Sequence, residues 1–396
     1  MPWMETNVQE ERLRFIAAWK TGGWNMTELC RDLGISRKTG YKYLERYEAE
    51  GLDGLKDRSH AAHHQPNKTR SLITELIIEE RQKHPSWGPV TLLARLAGRY
   101  PQVKDWPAVS TVGEILKREG LIQPRRKRRQ VPLKLHPLSH AEKPNDLWCI
   151  DFKGHFTVAN GRRCDPLTIS DAVSRYLLAC QSVQKTDSVN VQKAFERVFH
   201  EFGMPVAIRS DNGPPFASRG LAGLTPLAVW LLKLGIHLER IEPGKPYQNG
   251  RHERMHLTLK QHTALPPRSS LQAQQKAFDE FRKEYNEVRP HHALDLKTPA
   301  AVHEISNREF PKRIEPVEYW TNMETFTVSD EGNIRYGTHR VFLAPSLRGE
   351  NIALEEISER HRRIRFAGAA LGVLDVYTGK LLAYKNPIQI ISEDQV

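Results

Sequence analysis

Apolar residues recur at helical spacing through the first third of the chain, gather into short runs between helices in the middle, and form brief runs between turns near the end. Residues 10–20 set Leu13, Ile16 and Ala17 on one helical face, and Gly22-Gly23 ends the pattern. Thr27 reads as the N-cap of a second helix, Gly34 as the turn after it, and Ser36 as the cap of a third helix from Arg37 to Leu44. Helix, tight turn and helix in that order outline a helix-turn-helix. Further helices are predicted at 71–83, 90–98 and 110–118, with Trp87-Gly88-Pro89 as a turn closed by an aromatic plug. Two small helical units follow, at 1–58 and 66–123.

From about residue 144 strands alternate with helices, the texture of an α/β layer fold. Strands are predicted at Trp148–Phe152, Leu167–Asp171, Leu177–Cys180, Val206–Ile208 and Ile236–Ile241, and helices at 188–202, at 227–234, from Arg251 and at 271–286. Pro243-Gly244-Lys245-Pro246 is too rich in breakers to be regular. Beyond Pro311 come short runs at Thr325–Val328, Ile334–Tyr336, Val341–Leu343, Ile352–Leu354 and Ile364–Phe366, separated by turns, which predicts a small β-barrel over 315–390.

Composition narrows the class. The chain has 396 residues, enough for several domains at about 100–200 residues each. No run approaches the ~18 apolar residues of a membrane span, and the start lacks a basic segment followed by an apolar one. A cytoplasmic protein of the bacterial nucleoid, without a membrane role, is the expectation. The four cysteines form no CxxC pair and read as buried thiols, while His63-His64 lacks partners at zinc-finger spacing.

Net charge is +12, and residues 1–143 hold 26 Lys/Arg against 17 Asp/Glu, or +9. A basic front end points to a polyanion, and DNA is the polyanion that helix-turn-helix units read. The amino end of the third helix presents Ser36, Arg37, Lys38 and Thr39, with Lys42 one turn on, where such a helix enters the major groove. The run Arg125-Arg126-Lys127-Arg128-Arg129 lies in a basic linker, 124–143, suited to phosphates; a merely solvated charge run is its plain alternative.

Candidate chemistry lies in the middle. Asp151 stands on a strand, and Ser210-Asp211-Asn212-Gly213 follows a short strand, at the carboxyl end where open α/β sheets bind ligands. Gln248-Asn249-Gly250 leads into a helix with Glu253 in its first turn. Singly, Asp211 could be an Asx-turn residue and Glu253 an acid favoured by the helix dipole. Together with Asp171-Ala172-Val173-Ser174-Arg175-Tyr176 and Lys260, these motifs resemble in kind and order the DDE signature of insertion-sequence transposases with a retroviral-integrase-type core.

The resemblance implies an RNase H-like core at 144–300 in which Asp151, Asp211 and Glu253 are both catalytic residues and ligands of two Mg²⁺ (or Mn²⁺) ions. Hard cations take carboxylate oxygens, and two of them can stabilise both the attacking and the leaving oxygen in phosphodiester chemistry. It implies binding to the element's terminal repeats, 3′-end cleavage and strand transfer into target DNA by a homo-oligomer, at least a dimer on DNA. Lys260, on one helical face with Glu253 and His256, is a candidate DNA contact. The step from 211 to 253 is longer than the family's commonest form, which residues from Ser218 to Trp230 would accommodate. Glu239, beside Arg240, suits an ion pair, and Glu242 precedes Pro243. The rival reading is a catalytically inactive DNA-binding regulator that keeps the fold; a sequence-independent nuclease fits poorly with two helical units.

Overall fold

The computed structural model describes residues 7–58, 68–122, 141–218, 220–241 and 250–382. The chain divides into two compact units, 1–69 and 70–396. The first holds α1 (Val8–Lys20), α2 (Met26–Asp32) and α3 (Arg37–Glu50). Asn7 closes a capping box on α1, and Ser36 Oγ accepts from Thr39 N–H to start α3. The cap of the second helix lies two residues earlier than Thr27: Asn25 takes that place and accepts from Glu28 N–H. Phe15, Ile16, Met26, Leu29 and Cys30 form its core. Gly40 has to be glycine there, since a Cβ would stand 2.6 Å from Cys30 Sγ.

In the larger unit, α4 (Ser71–Lys83), α5 (Pro89–Arg99) and α6 (Val109–Arg118) enclose Trp87, which is fully buried and stacks on His84 at 3.9 Å, as an aromatic plug should. A mixed sheet follows, built from β1 (Leu147–Phe152), β2 (Phe156–Thr157), β3 (Arg163–Asp171), β4 (Leu177–Val183), β5 (Ala207–Ser210) and β6 (His237–Arg240). Its path is β2-β3-β1-β5-β6, with β4 on β3. Strand β1 pairs antiparallel with β3 and parallel with β5, so it is central. Helix α7 (Ser188–Phe202), capped by Asp187, buries Val191, Ala194, Phe195, Val198, Phe199 and Phe202 at helical spacing. Together with α8 (Pro226–Lys233) it covers the sheet face carrying Trp148 and Ile150.

The opposite face receives α9 (Gly250–Thr263) and α10 (Leu271–Lys283). Met255, Leu259, Phe278 and Phe281 pack there with Cys164, Leu177 and Cys180. After α10 the helix widens into a π-turn, Glu284–Val288, where the predicted helix had run straight to 286. Asn286 then bonds both backbone groups of Leu177, at 2.8 and 3.0 Å, closing the edge of β4. His84 Nδ1 meets Glu284 Oε1 at 2.9 Å and Ser86 Oγ meets His262 Nε2 at 2.6 Å, which docks α4–α6 on α9 and α10.

The carboxyl-terminal module differs from the barrel expected. Strands β7 (Glu324–Thr327), β8 (Asn333–Tyr336), β9 (His339–Phe342), β10 (Asn351–Glu356), β11 (His361–Phe366), β12 (Ala369–Asp375) and β13 (Lys380–Leu382) form an open five-stranded sheet, β13-β12-β11-β10-β7, and a separate β8-β9 hairpin. Among the described residues nothing joins β13 to β7. Its buried side chains, Ile352, Ile364, Phe366 and Leu374, merge with the core around α7 and α8, so the sheet closes on its neighbour instead of on itself. Arg360, just before β11, and the arginines of that strand are paired: Arg360 with Asp375, Arg362 with Glu356, and Arg363 and Arg365 with Glu355. No helix among the described residues is long and apolar enough to cross a membrane.

Trp87→Ala should cost about 3–5 kcal/mol, the range for emptying a buried aromatic site. Thermal melting of the full chain should therefore show a clearly lower transition for the larger unit, and an unchanged midpoint would contradict the burial described.

Candidate active site

Asp151 is carried by the central strand, one residue before its end. Asp211 directly follows β5, whose parallel pairing with β1 brings the two acids to the same end of neighbouring strands. Glu253 stands in the first turn of α9, exposed, on the sheet face that α9 and α10 cover. Burial pushes the carboxyl of Asp151 up to about 7, and the charges of Asp211 and then Glu253 add to that rise. A backbone hydrogen bond at Phe152 and the ammonium of Lys153 oppose it. Burial also raises Asp211, against a hydrogen bond from Gly213 N–H at 3.2 Å. That bond is the Asx-turn expected of a lone aspartate, so Asp211 both shapes its turn and acts electrostatically on Asp151.

The other acids of the region are committed elsewhere. Asp171 accepts from Asn145 N–H at 2.7 Å and from Ser174 N–H and Oγ at 2.6 and 2.7 Å, so it locks a turn. Glu239 pairs with Arg209 at 2.8 Å. Glu242, the Gln248-Asn249 pair and the Pro243–Pro246 loop lie outside the described residues, as do His63-His64 and the whole run Arg125, Arg126, Lys127, Arg128 and Arg129. Arg240 donates to the carbonyls of Ala222, Phe216 and Gly223, which holds the longer connection after Asp211 against the core.

The predicted common face of Glu253, His256 and Lys260 is not what α9 presents. Glu253 and Lys260 are exposed, whereas His256 is buried, because the buried stripe of α9 runs through His252, Met255, His256 and Leu259. His252 Nε2 and His256 Nε2 both meet Thr168 Oγ1, at 2.6 and 2.7 Å, and His256 Nδ1 faces Asp151 Oδ2 at 3.8 Å. Burial holds these imidazoles at about 3 and about 2, well below their ordinary range. Both are therefore neutral at pH 7. The sequence reading missed this group, although two histidines four apart around Glu253 were a signal that both point to one side of the helix.

Among the described residues no three His, Cys, Asp or Glu side chains stand close enough together to hold a metal ion. What the structure does supply is a half-buried carboxylate, Asp151, on which the charges of Asp211 and Glu253 both act, and carboxylates are the hard oxygen donors that Mg²⁺ and Mn²⁺ take. On α3, Ser36, Arg37, Lys38 and Lys42 are exposed, while Thr39 is half-buried and bonded to Ser36.

Comparison with known proteins finds similar domains along the chain. The integrase core domain family matches residues 141–246 and, in a second description, 234–299. A helix-turn-helix domain matches 11–63 and a homeodomain-like domain 39–116. The chain is 31% identical over 180 residues to an uncharacterized 31.7 kDa protein of insertion element IS407 from Burkholderia multivorans, covering 45% of this chain and 62% of that one. It is 27% identical over 240 residues to an uncharacterized 39.2 kDa protein of insertion element IS476 from Xanthomonas euvesicatoria, covering 59% and 65%. The chain thus spans less than two thirds of the length of either relative. The HTLV-2 integrase catalytic core domain, solved with magnesium, is 19% identical with a TM-score of 0.34, covering 42% of this chain and 100% of that one. The domain matches and the insertion-element relatives bear out the resemblance read from the motifs, that of an insertion-sequence transposase with a retroviral-integrase-type core.

The raised pKa of Asp151 has a consequence for stability. Its folded value, about 7, exceeds the ordinary 3.8, so the folded chain holds an extra proton between those values and stability falls as pH rises through that window. Asp151→Asn cannot lose that proton. Without divalent ions, its melting temperature should match the wild type below pH 4, exceed it increasingly up to about pH 7, and then keep a constant lead, each tenfold change in proton affinity corresponding to about 1.4 kcal/mol. A difference independent of pH would contradict the electrostatic description.

Proposed function

We propose that this chain is a DDE transposase that binds the ends of an insertion sequence and catalyses their 3′-end cleavage and their transfer into target DNA. The observation that carries the proposal is that Asp151, half-buried on a central strand, feels the charges of both Asp211, at a neighbouring strand end, and Glu253, on a helix. Repulsion of that kind costs stability and is relieved by cations, so its retention supports a site built to hold them. The sheet, with β1 flanked antiparallel by β3 and parallel by β5, supports an RNase H-like reading of 144–300.

In this reading Asp151, Asp211 and Glu253 would together hold two Mg²⁺ (or Mn²⁺) ions. Bound there, the ions would supply charge stabilisation to the attacking and leaving oxygens of the phosphodiester. The protein's own part is to orient these carboxylates and to bring DNA to them. Recognition of the terminal repeats falls to the helical units at 1–58 and 66–123, with Ser36, Arg37, Lys38, Thr39 and Lys42 at the groove-facing end of α3. Lys260, exposed on α9 beyond Glu253, suits a phosphate near the reacting end, and the basic run 125–129 suits the backbone between units. Water would free the 3′ hydroxyls, which would then attack target DNA without a covalent protein intermediate. Two ends must be cut together, so a homo-oligomer on DNA, working in the nucleoid, completes the proposal. A catalytically inactive regulator would have no need of all three acids.

Asp151→Asn and Asp211→Asn should each reduce Mg²⁺-dependent cleavage of end DNA by 10³-fold or more, on the order of 4 kcal/mol of barrier, and Glu253→Gln should do likewise, while gel-shift binding of the same DNA persists. Wild-type turnover by any of them would remove that residue from the site. Arg37→Ala and Lys38→Ala should instead weaken DNA binding and lower its salt dependence by about 0.9 in slope for each phosphate no longer neutralised. Binding and slope unchanged in both would place recognition elsewhere.

A further inference from the structure

We infer that Thr168, acting through His252 and His256, is a positioning residue that sets the height of Glu253 over Asp151. The inference rests on the proposed role of those acids as ion ligands. Thr168 and Asp151 are direct partners in the β1–β3 register, so their side chains share one face of the sheet. Onto that face come the first two turns of α9. The Thr168 hydroxyl contacts His252 Nε2 at 2.6 Å, His256 Nε2 at 2.7 Å and the Asp151 carbonyl at 3.1 Å.

A hydroxyl has one proton to donate and two lone pairs with which to accept. All three contacts are satisfied together when Thr168 donates to the Asp151 carbonyl and accepts an Nε2–H from each histidine. His252 then has an unprotonated Nδ1, which suits the Ser170 hydroxyl found at 3.1 Å from it. One threonine thus ties the helix bearing Glu253 to the strand bearing Asp151, at the residue adjacent to Glu253 in sequence.

Met255 and Leu259 also hold α9 on this face, packing with Cys164, Leu177, Cys180 and Phe278, and Cys180 is the cross-strand partner of Thr168. Apolar packing is non-directional, however, whereas hydrogen bonds fix distance and angle. A ligand set must hold its geometry within about 0.5 Å, and groups that orient ligands typically change metal affinity by about 10–100-fold when removed.

The test is a calorimetric titration of Mn²⁺ into the full-length protein without DNA, with near-ultraviolet circular dichroism and melting recorded for each variant. Thr168→Val keeps the shape and removes the hydroxyl; Thr168→Ser keeps the hydroxyl. The expected result is a tenfold or greater loss of Mn²⁺ affinity in Thr168→Val and near wild-type affinity in Thr168→Ser. Wild-type affinity in a folded Thr168→Val, or an equal loss in Thr168→Ser, overturns the positioning role. Should Thr168→Val fail to fold, His252→Phe decides by the same titration, with a tenfold loss expected and unchanged affinity overturning the inference. Asp151→Asn separates the two levels: if it binds Mn²⁺ as the wild type does, the ion-site reading itself falls, whereas loss in Asp151→Asn with none in Thr168→Val removes only the positioning role.

Discussion

Like charge held together at one end of the central strands of an apolar sheet is the constraint that the rest of the larger unit serves. Asp151 belongs to the most central strand, where neighbouring strands and the helices behind them strip water from its carboxyl and carry it to about 7. Leaving Asp211 and Glu253 near such a group makes the metal-free state more costly still. The fold sustains that cost through the close packing of α7 and α8 on one face, with Phe195 and Phe199 at its centre, and α9 and α10 on the other. The proposed function follows from the same repulsion, since a divalent cation among the three acids would turn it into attraction.

The neighbouring acids show how selective the arrangement is. Asp165 is bidentate with Arg163, Glu239 pairs with Arg209, and Asp171 spends one oxygen on the turn after β3 and the other on Asn145 N–H. Each of these charges is compensated within one strand or turn of where it arises. In the candidate site the charges of Asp211 and Glu253, from separate elements, act on Asp151 instead, and an acid perturbed in that way is more common at working sites than in structural ion pairs.

Much of this was legible in the sequence because it depended on local signals. Ser36 capping α3, the α7 stripe and the strand before Asp211 are set by residues within a few positions of one another, and periodicity finds such features. What escaped depended on distant partners. The side of α9 that His256 faces is decided by Thr168, 88 residues earlier, so helical spacing alone grouped His256 with Glu253 and Lys260. Strands β12 and β13 were overlooked because Ala369–Asp375 is poor in the β-branched residues that mark strands, and its burial comes from pairing with β11. The barrel was read from short strands separated by turns, a pattern that carries no information about whether the two edges meet.

The account stands most directly on a crystal structure of the protein grown with Mn²⁺ and a DNA fragment of the element's end, with the ion located by its anomalous scattering. The account predicts Mn²⁺ bound by oxygens of Asp151 together with Asp211 or Glu253 at about 2.0–2.3 Å, typical of hard cations on carboxylates. Ions bound elsewhere, with Glu253 turned to solvent and Asp211 held only in its turn, would contradict it.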